Sequence, residues 1–220
     1  MKVFNDPAHA AQYDKSSPNS MIGYDALYET CLAVLAGHQM KRLLVVGAGT
    51  GKETILLKKR YPELEVIGID PSEPMLEVAR EKLKASGLEA DLRQGRLEEF
   101  EDLQELEAVL MIGVLHHLDS TAEQQALIAE LGRRMRPGGL LIFGSQVGPM
   151  SDPLRRKVWE QRWRDNGMGE EQVELNRKRL SGIVALESDL LAEWLAAAGF
   201  EHQERVFSTL FFEVWGCLRG

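Results

Sequence analysis

The chain has 220 residues, of which 44% are hydrophobic and 27% charged, the balance of a soluble globular protein with room for one α/β domain rather than two full ones. Its formal net charge is −8, which disfavours nucleic-acid backbones as partners, outside a local basic patch, and favours a small molecule. No apolar run approaches the roughly 20 residues that cross a bilayer, the opening MKVFNDPAHAAQYDK has no apolar signal core, and Cys31 and Cys217 stand far apart without metal-ligand spacing; a cytoplasmic protein without membrane span, disulfide or metal is expected.

In chain order, residues 1–40 form a helical leader. Ala8–Tyr13 predicts a short helical turn, and Ser16–Gly23, with Pro18, Asn19 and Ser20, a loop. From Tyr24 to Ala36, Leu27, Cys31, Val34 and Leu35 share one helical face, and Gly37 stops the helix. Leu43–Val46 is an apolar strand that runs into Gly47, Gly49 and Gly51, and Lys52–Tyr61 is a helix stopped by Pro62. Glu65–Ile69 is a second strand closing on Asp70, and Ser72 caps a helix to Ala85 that carries Pro74 in its first turn.

Ala90–Gln94 reads as a third, short strand, and the unbroken apolar run Ala108–Ile112 as a parallel strand buried on both faces. Thr121–Met135 is a helix, Arg136-Pro137-Gly138-Gly139 its stop, and Leu140–Phe143 a fifth strand. Met150–Leu180 is more basic, with Arg155, Arg156, Lys157, Arg162 and Arg164, and it sets Trp159 and Trp163 four apart on one helical face. That face either buries two tryptophans in a core or forms a substrate wall. Ser188 caps a last helix, and Phe200–Phe207 and Leu210–Leu218 are strands close enough in sequence to pair antiparallel.

The chemistry concentrates where the first strand meets its glycines. Glycine adopts positive φ and lets a ligand approach the backbone, while the following helix aims free N–H groups at that ligand. Asp70, at the end of the next strand, is placed to accept ribose hydroxyls, so a nucleoside is implied. A dinucleotide fingerprint requires glycine where Lys52 stands; a phosphate loop requires Ser or Thr where Glu53 stands and glycine in place of Val46.

At VVGAGTG and Asp70 the chain resembles the class I S-adenosylmethionine-dependent methyltransferases, and DPSEPMLEVAR, VLHHL and RPGGLLIF extend the likeness over roughly residues 43–145. The resemblance implies a single domain over residues 1–220, built on a Rossmann-like seven-stranded α/β sheet. That sheet is mostly parallel, with helices on both faces and the last strand inserted antiparallel between the fifth and sixth. It implies S-adenosylmethionine as cofactor and S-adenosylhomocysteine as product, with residues 1–40 over the cofactor and residues 147–185 as a helical insertion and candidate substrate lid.

Cofactor contacts are expected from Gly47, Ala48, Gly49, Gly51, Asp70, Pro71, Met75, Gly95, Arg96, Leu97, Ile112, Gly113 and His117. Tyr13 either joins them, near the methionine part, or anchors its segment by packing. Relatives carry Asp where Arg96 stands, to accept from the adenine amine. Arginine only donates, so the backbone at Arg96-Leu97, Glu98, or stacking by Arg96 must replace that contact.

Methyl transfer requires an aligned acceptor and, for a hydroxyl or acidic carbon, removal of a proton. His116 and His117 are the titratable pair at the fourth-strand exit. Neighbouring residues cannot both face the pocket, and His117 is the candidate base. Tyr24, Trp159 and Trp163 are candidate substrate contacts. The fourth strand lacks the Asn/Asp-Pro-Pro-Tyr/Phe motif that holds planar nitrogens, so O- or C-methylation of a small molecule is favoured. Two alternatives stay open. One is a tRNA- or RNA-modifying relative using S-adenosylmethionine or a carboxylated derivative, since Tyr13-Asp14 and Ile22-Gly23-Tyr24-Asp25 also look like the carboxy-S-adenosylmethionine synthases. The other is a nucleoside-binding module without catalysis. The sequence sets no oligomeric state.

Overall fold

The computed structural model describes residues 2–220. Its helices are α1 (Pro7–Ser20), α2 (Tyr24–Ala36), α3 (Lys52–Arg60), α4 (Glu73–Ala85), α5 (Thr121–Arg134), α6 (Pro153–Asp165), α7 (Glu170–Ser181) and α8 (Ser188–Ala197). The strands are β1 (Arg42–Val46), β2 (Glu65–Asp70), β3 (Asp91–Gln94), β4 (Leu106–Ile112), β5 (Met135–Gln146), β6 (Phe200–Thr209) and β7 (Phe212–Arg219). They form one seven-stranded sheet in the order β3-β2-β1-β4-β5-β7-β6. β7 runs antiparallel between β5 and β6, as expected, and β1 to β5 are parallel.

The strand pleat divides the core. In β1, Leu43 and Val45 face a layer that includes Leu27, Cys31 and Leu57 of α2 and α3, while Leu44 and Val46 face Ile128, Leu131, Leu191 and Leu195 of α5 and α8. Successive side chains point to opposite faces, so a continuous apolar run is the pattern a doubly covered strand requires. A third, smaller apolar cluster joins Trp159, Trp163, Val173 and Phe211 beneath α6 and α7. No helix among the described residues is long and apolar enough to cross a membrane.

Three local expectations change. The helical turn expected at Ala8–Tyr13 extends to Ser20 and takes in most of the expected loop, despite Pro18. Pro7 begins the helix, the Asp6 side chain caps it, and Arg162 Nη2 donates to the carbonyls of Pro18 and Met21 at 3.2 Å, covering acceptors left free at its end. Arg136–Gly139, expected as a stop, is the irregular start of β5: Met135 already pairs with Leu106, and the register shifts before Leu140 pairs with Ala108. Ser188 is the first residue of α8 rather than its cap, because its hydroxyl donates to Glu213 Oε2 at 2.9 Å.

Candidate functional site

β1 and β4 are neighbours whose following helices, α3 and α5, pack on opposite faces of the sheet. Their C-terminal ends therefore border a crevice, the place where ligands lie in open α/β sheets. A cavity of about 850 Å³ opens there; Gly47, Ala48, Gly49, Thr50, Ile112, Gly113, His116 and His117 form its floor. Tyr13, Tyr24 and Tyr28 wall one side, and Trp159, Trp163 and Phe211 wall the far end.

The glycines serve two different ends. Gly47 has φ of 73°, and a Cβ there would stand 2.2 Å from Val114 Cγ2. Gly51, at φ 79°, would meet Ala79 of α4 at 2.9 Å. Both are glycine because the turn packs tightly against its own fold. Gly49 and Gly113 also have positive φ, but a Cβ at Gly49 would meet only ordinary contacts and one at Gly113 nothing within 4 Å. These two keep the floor open. The turn is held from below, where Gly47 and Ala48 N–H groups donate to the Ile69 carbonyl at 2.8 and 2.9 Å.

Asp70 is 9% exposed. Its Oδ2 accepts from the Gly49 N–H at 2.9 Å and its Oδ1 from the Ser72 N–H at 2.8 Å. Burial pushes its pKa up, and these two donors pull it back. Each oxygen keeps a second lone pair, so the pair of donors orients the carboxylate without exhausting it.

The histidines sit on a 3-10 turn, Leu115–His117, rather than on extended chain. Both rings reach the cavity wall, 4.2 Å apart between centroids, which corrects the expectation that only one faces the pocket. The Gln146 N–H donates to His116 Nδ1 at 3.2 Å. Nδ1 must then carry the lone pair, so the proton is on Nε2 and that N–H is the ring's remaining donor. Burial holds its pKa well below the usual histidine value. Burial also lowers His117, to about 4, so at neutral pH His117 is an unprotonated imidazole, free to accept a proton.

A cover closes over this floor. Ser72 Oγ donates to the Phe4 carbonyl at 2.6 Å, and the Phe4 ring packs edge-on against His117 at 4.9 Å. Asp14 of α1 takes the Thr50 hydroxyl at 2.6 Å and the Lys82 ammonium at 2.6 Å. From α7, Leu175, Asn176, Arg179 and Leu180 complete the outer wall.

Of the residues expected at the site, Tyr13, Gly47, Ala48, Gly49, Ile112, Gly113, His117, Tyr24, Trp159 and Trp163 meet in this cavity. Among the described residues its wall does not include Gly51, Asp70, Pro71, Met75, Gly95, Arg96 or Leu97, which lie towards β2 and β3. The Arg96 guanidinium lies 4.0 Å from Glu98, and the Arg96 backbone N–H donates to Glu99 Oε1 at 2.6 Å. The tryptophans are buried in the small cluster and also line the cavity. The basic stretch is engaged internally: Arg164 pairs with Glu170, Arg162 holds the end of α1, and Arg155 lies over the Phe211 ring.

Sequence reasoning missed Phe4, Tyr28, Glu53 and Gln146, all in the wall. An acid in the first turn of a helix usually serves the helix dipole, which disguised Glu53. The other three carried no signal.

A model of the methyltransferase domain family matches residues 43–139. An uncharacterised methyltransferase of Geobacillus kaustophilus is 28% identical over 197 residues, covering 86% of each chain. The carboxy-S-adenosyl-L-methionine synthase of Wolinella succinogenes is 28% identical over 184 residues, 80% of this chain and 75% of that one. Among solved structures, magnesium protoporphyrin IX methyltransferase from Synechocystis, with S-adenosylhomocysteine bound, superposes with a TM-score of 0.65 over 92% of this chain and 86% of that chain. At 19% identity it speaks for the fold alone. The glycine turn, the acid closing β2 and the sheet order agree with these matches, and together they support a class I S-adenosylmethionine-dependent methyltransferase.

Proposed function

We propose that this methyltransferase acts on a small acceptor with a planar apolar body, on oxygen or carbon. The observation that carries the reading is the continuity of one cavity from the glycine turn to an end wall of Trp159, Trp163 and Phe211. The floor fits S-adenosylmethionine. Gly49 and Gly113 leave space that a side chain would fill, and Asp70 is oriented by two N–H groups with lone pairs to spare. Tyr13, Gly47, Ala48, Gly49, Gly51, Asp70, Pro71, Met75, Gly95, Leu97, Ile112 and Gly113 are assigned to hold it, with the backbone at Arg96 in place of the usual acid. When bound, the cofactor supplies a methyl group on a sulfonium, an already activated carbon.

The chain's own part is alignment and proton handling. Trp159 and Trp163 offer flat apolar faces, and Trp163 Nε1 is buried without a protein partner among the described residues, as is Gln146 Oε1. An acceptor bearing one oxygen and one polar hydrogen satisfies both. His116 Nε2–H donates to an acceptor oxygen, and His117, unprotonated above about pH 4, receives the proton that a hydroxyl or acidic carbon gives up. Holding the nucleophile in line removes much of the entropic part of the barrier. Residues 1–40 act as the cofactor's cover and residues 147–185 as the substrate lid, in one domain over residues 1–220.

The test is a panel of phenols, enols and aryl amines incubated with the protein and methyl-labelled S-adenosylmethionine. Label on oxygen or carbon supports the reading; transfer only to amines, or only to RNA added in parallel, refutes it. A second reading, in which the cofactor is a carboxylated derivative, draws on the likeness to the Wolinella synthase. Mass spectrometry of the nucleoside that copurifies with the protein separates the two.

A further inference from the structure

Glu53 is a buried acid that none of the steps above uses. It is 8% exposed, stands in the first turn of α3 just beyond the glycine turn, and lines the same cavity. Its Oε1 accepts the Tyr28 hydroxyl at 2.9 Å. Among the described residues no cation pairs with it: Lys52, its chain neighbour, instead extends over the Tyr24 and Tyr28 rings, 5.4 Å from each centroid. A buried carboxylate is normally paired with a cation, because its desolvation is not repaid by neutral donors alone, here the Tyr28 hydroxyl and a backbone N–H. Here the unpaired acid faces a space that a ligand occupies, flanked by phenol rings whose π faces attract cations.

The geometry points to Glu53, with Tyr28 behind it, as the group that takes the α-ammonium of the cofactor's amino-acid tail, an assignment that rests on the cofactor reading above. The ammonium supplies the missing positive charge and Oε2 is the oxygen left to receive it. Tyr28 remains a hydroxyl donor, since burial raises its pKa well above the ordinary value. Burial likewise raises that of Glu53, and an ammonium beside the carboxylate lowers it again, so loading the site favours the ionised acid. The other groups facing Glu53 are Tyr13 of α1, Tyr24 and Cys31 of α2, Lys52 beside it and Lys82 of α4; burial keeps Tyr13 and Cys31 neutral.

The experiment compares S-adenosylhomocysteine with its analogue lacking only the α-amino group, by titration calorimetry on the wild type and on Glu53→Gln, as a double cycle. The wild type is expected to prefer the amino compound roughly ten- to a hundredfold. Glu53→Gln is expected to reduce that preference to within about twofold while leaving the analogue's affinity unchanged. A preference that survives in the variant, or an equal loss for both ligands, overturns the assignment. A wild-type measurement guards against a misfolded variant. At about pH 5, binding of S-adenosylhomocysteine is expected to release a proton, read from the heats in two buffers of different ionisation enthalpy, and binding of the analogue is not. Equal proton counts for the two ligands contradict it. Neither readout involves the methyl acceptor, so failure of the acceptor reading leaves both unaffected.

Discussion

The floor and the cover of the cleft are built by different means. On the floor, Gly47 and Gly51 are fixed by close packing against Val114 and Ala79, and the turn hangs on backbone hydrogen bonds to Ile69. The cover is held by a few side chains from distant parts of the chain: Asp14 on Thr50 and Lys82, Arg162 on the end of α1, and Phe4 on Ser72. A floor of this kind tolerates little change of shape, whereas the cover depends on a small number of side-chain contacts. The contrast divides the cleft into a closely packed floor and a roof held by side-chain contacts.

The strongest way to break that contrast is Gly47→Ala. Left-handed strain and the clash with Val114 together are expected to cost about 2 to 5 kcal/mol in urea unfolding and to abolish S-adenosylhomocysteine binding. Adding Val114→Ala should restore part of the stability but not the φ strain. Asp70→Ala should lose roughly 1.5 to 3 kcal/mol of cofactor affinity for each charged hydrogen bond removed, by calorimetry, and should also free the Gly49 and Ser72 N–H groups that the carboxylate holds. Unchanged affinity would move the ribose elsewhere.

The histidines under the roof give a pH test. Their folded-state pKa values lie below the usual 6.5, with His117 at about 4. The unfolded chain therefore binds more protons across that window, and stability should fall as pH drops from about 6.5 towards 4, by roughly 3 kcal/mol from His117 alone. His117→Gln should flatten the slope. The smallest thermodynamic effect belongs to the latch itself. Asp14 and Lys82 are both substantially exposed, so Asp14→Ala should cost less than about 1 kcal/mol of stability yet speed release of S-adenosylhomocysteine several-fold in stopped flow. An unchanged release rate would mean that the roof does not gate the site.

This contrast also explains what could be read from the sequence. Positive φ, strand pleat and a buried parallel strand each restrict residue type at fixed spacing, so Gly47 to Gly51, Asp70 and the AVLMI run announced themselves. The sheet order followed from the resemblance those residues carried. The roof imposes no such restriction. Phe4 is held through its backbone carbonyl, which any residue offers, and α1 runs past Pro18 because Arg162, far along the chain, takes its last carbonyls. His116 is set aside if neighbouring residues are held unable to share a pocket, whereas on the 3-10 turn both histidines line the cavity. Glu53 was hidden because an acid suits the start of any helix.

The central claim, that the glycine turn and Asp70 form the cradle for S-adenosylmethionine, is tested most directly by titrating the wild-type protein with S-adenosylhomocysteine while following the backbone amides of Gly47, Gly49 and Gly113 by nuclear magnetic resonance. The account predicts saturable one-to-one binding with shifts centred on those three amides. Absence of binding, or saturable binding that leaves them unmoved, would contradict it.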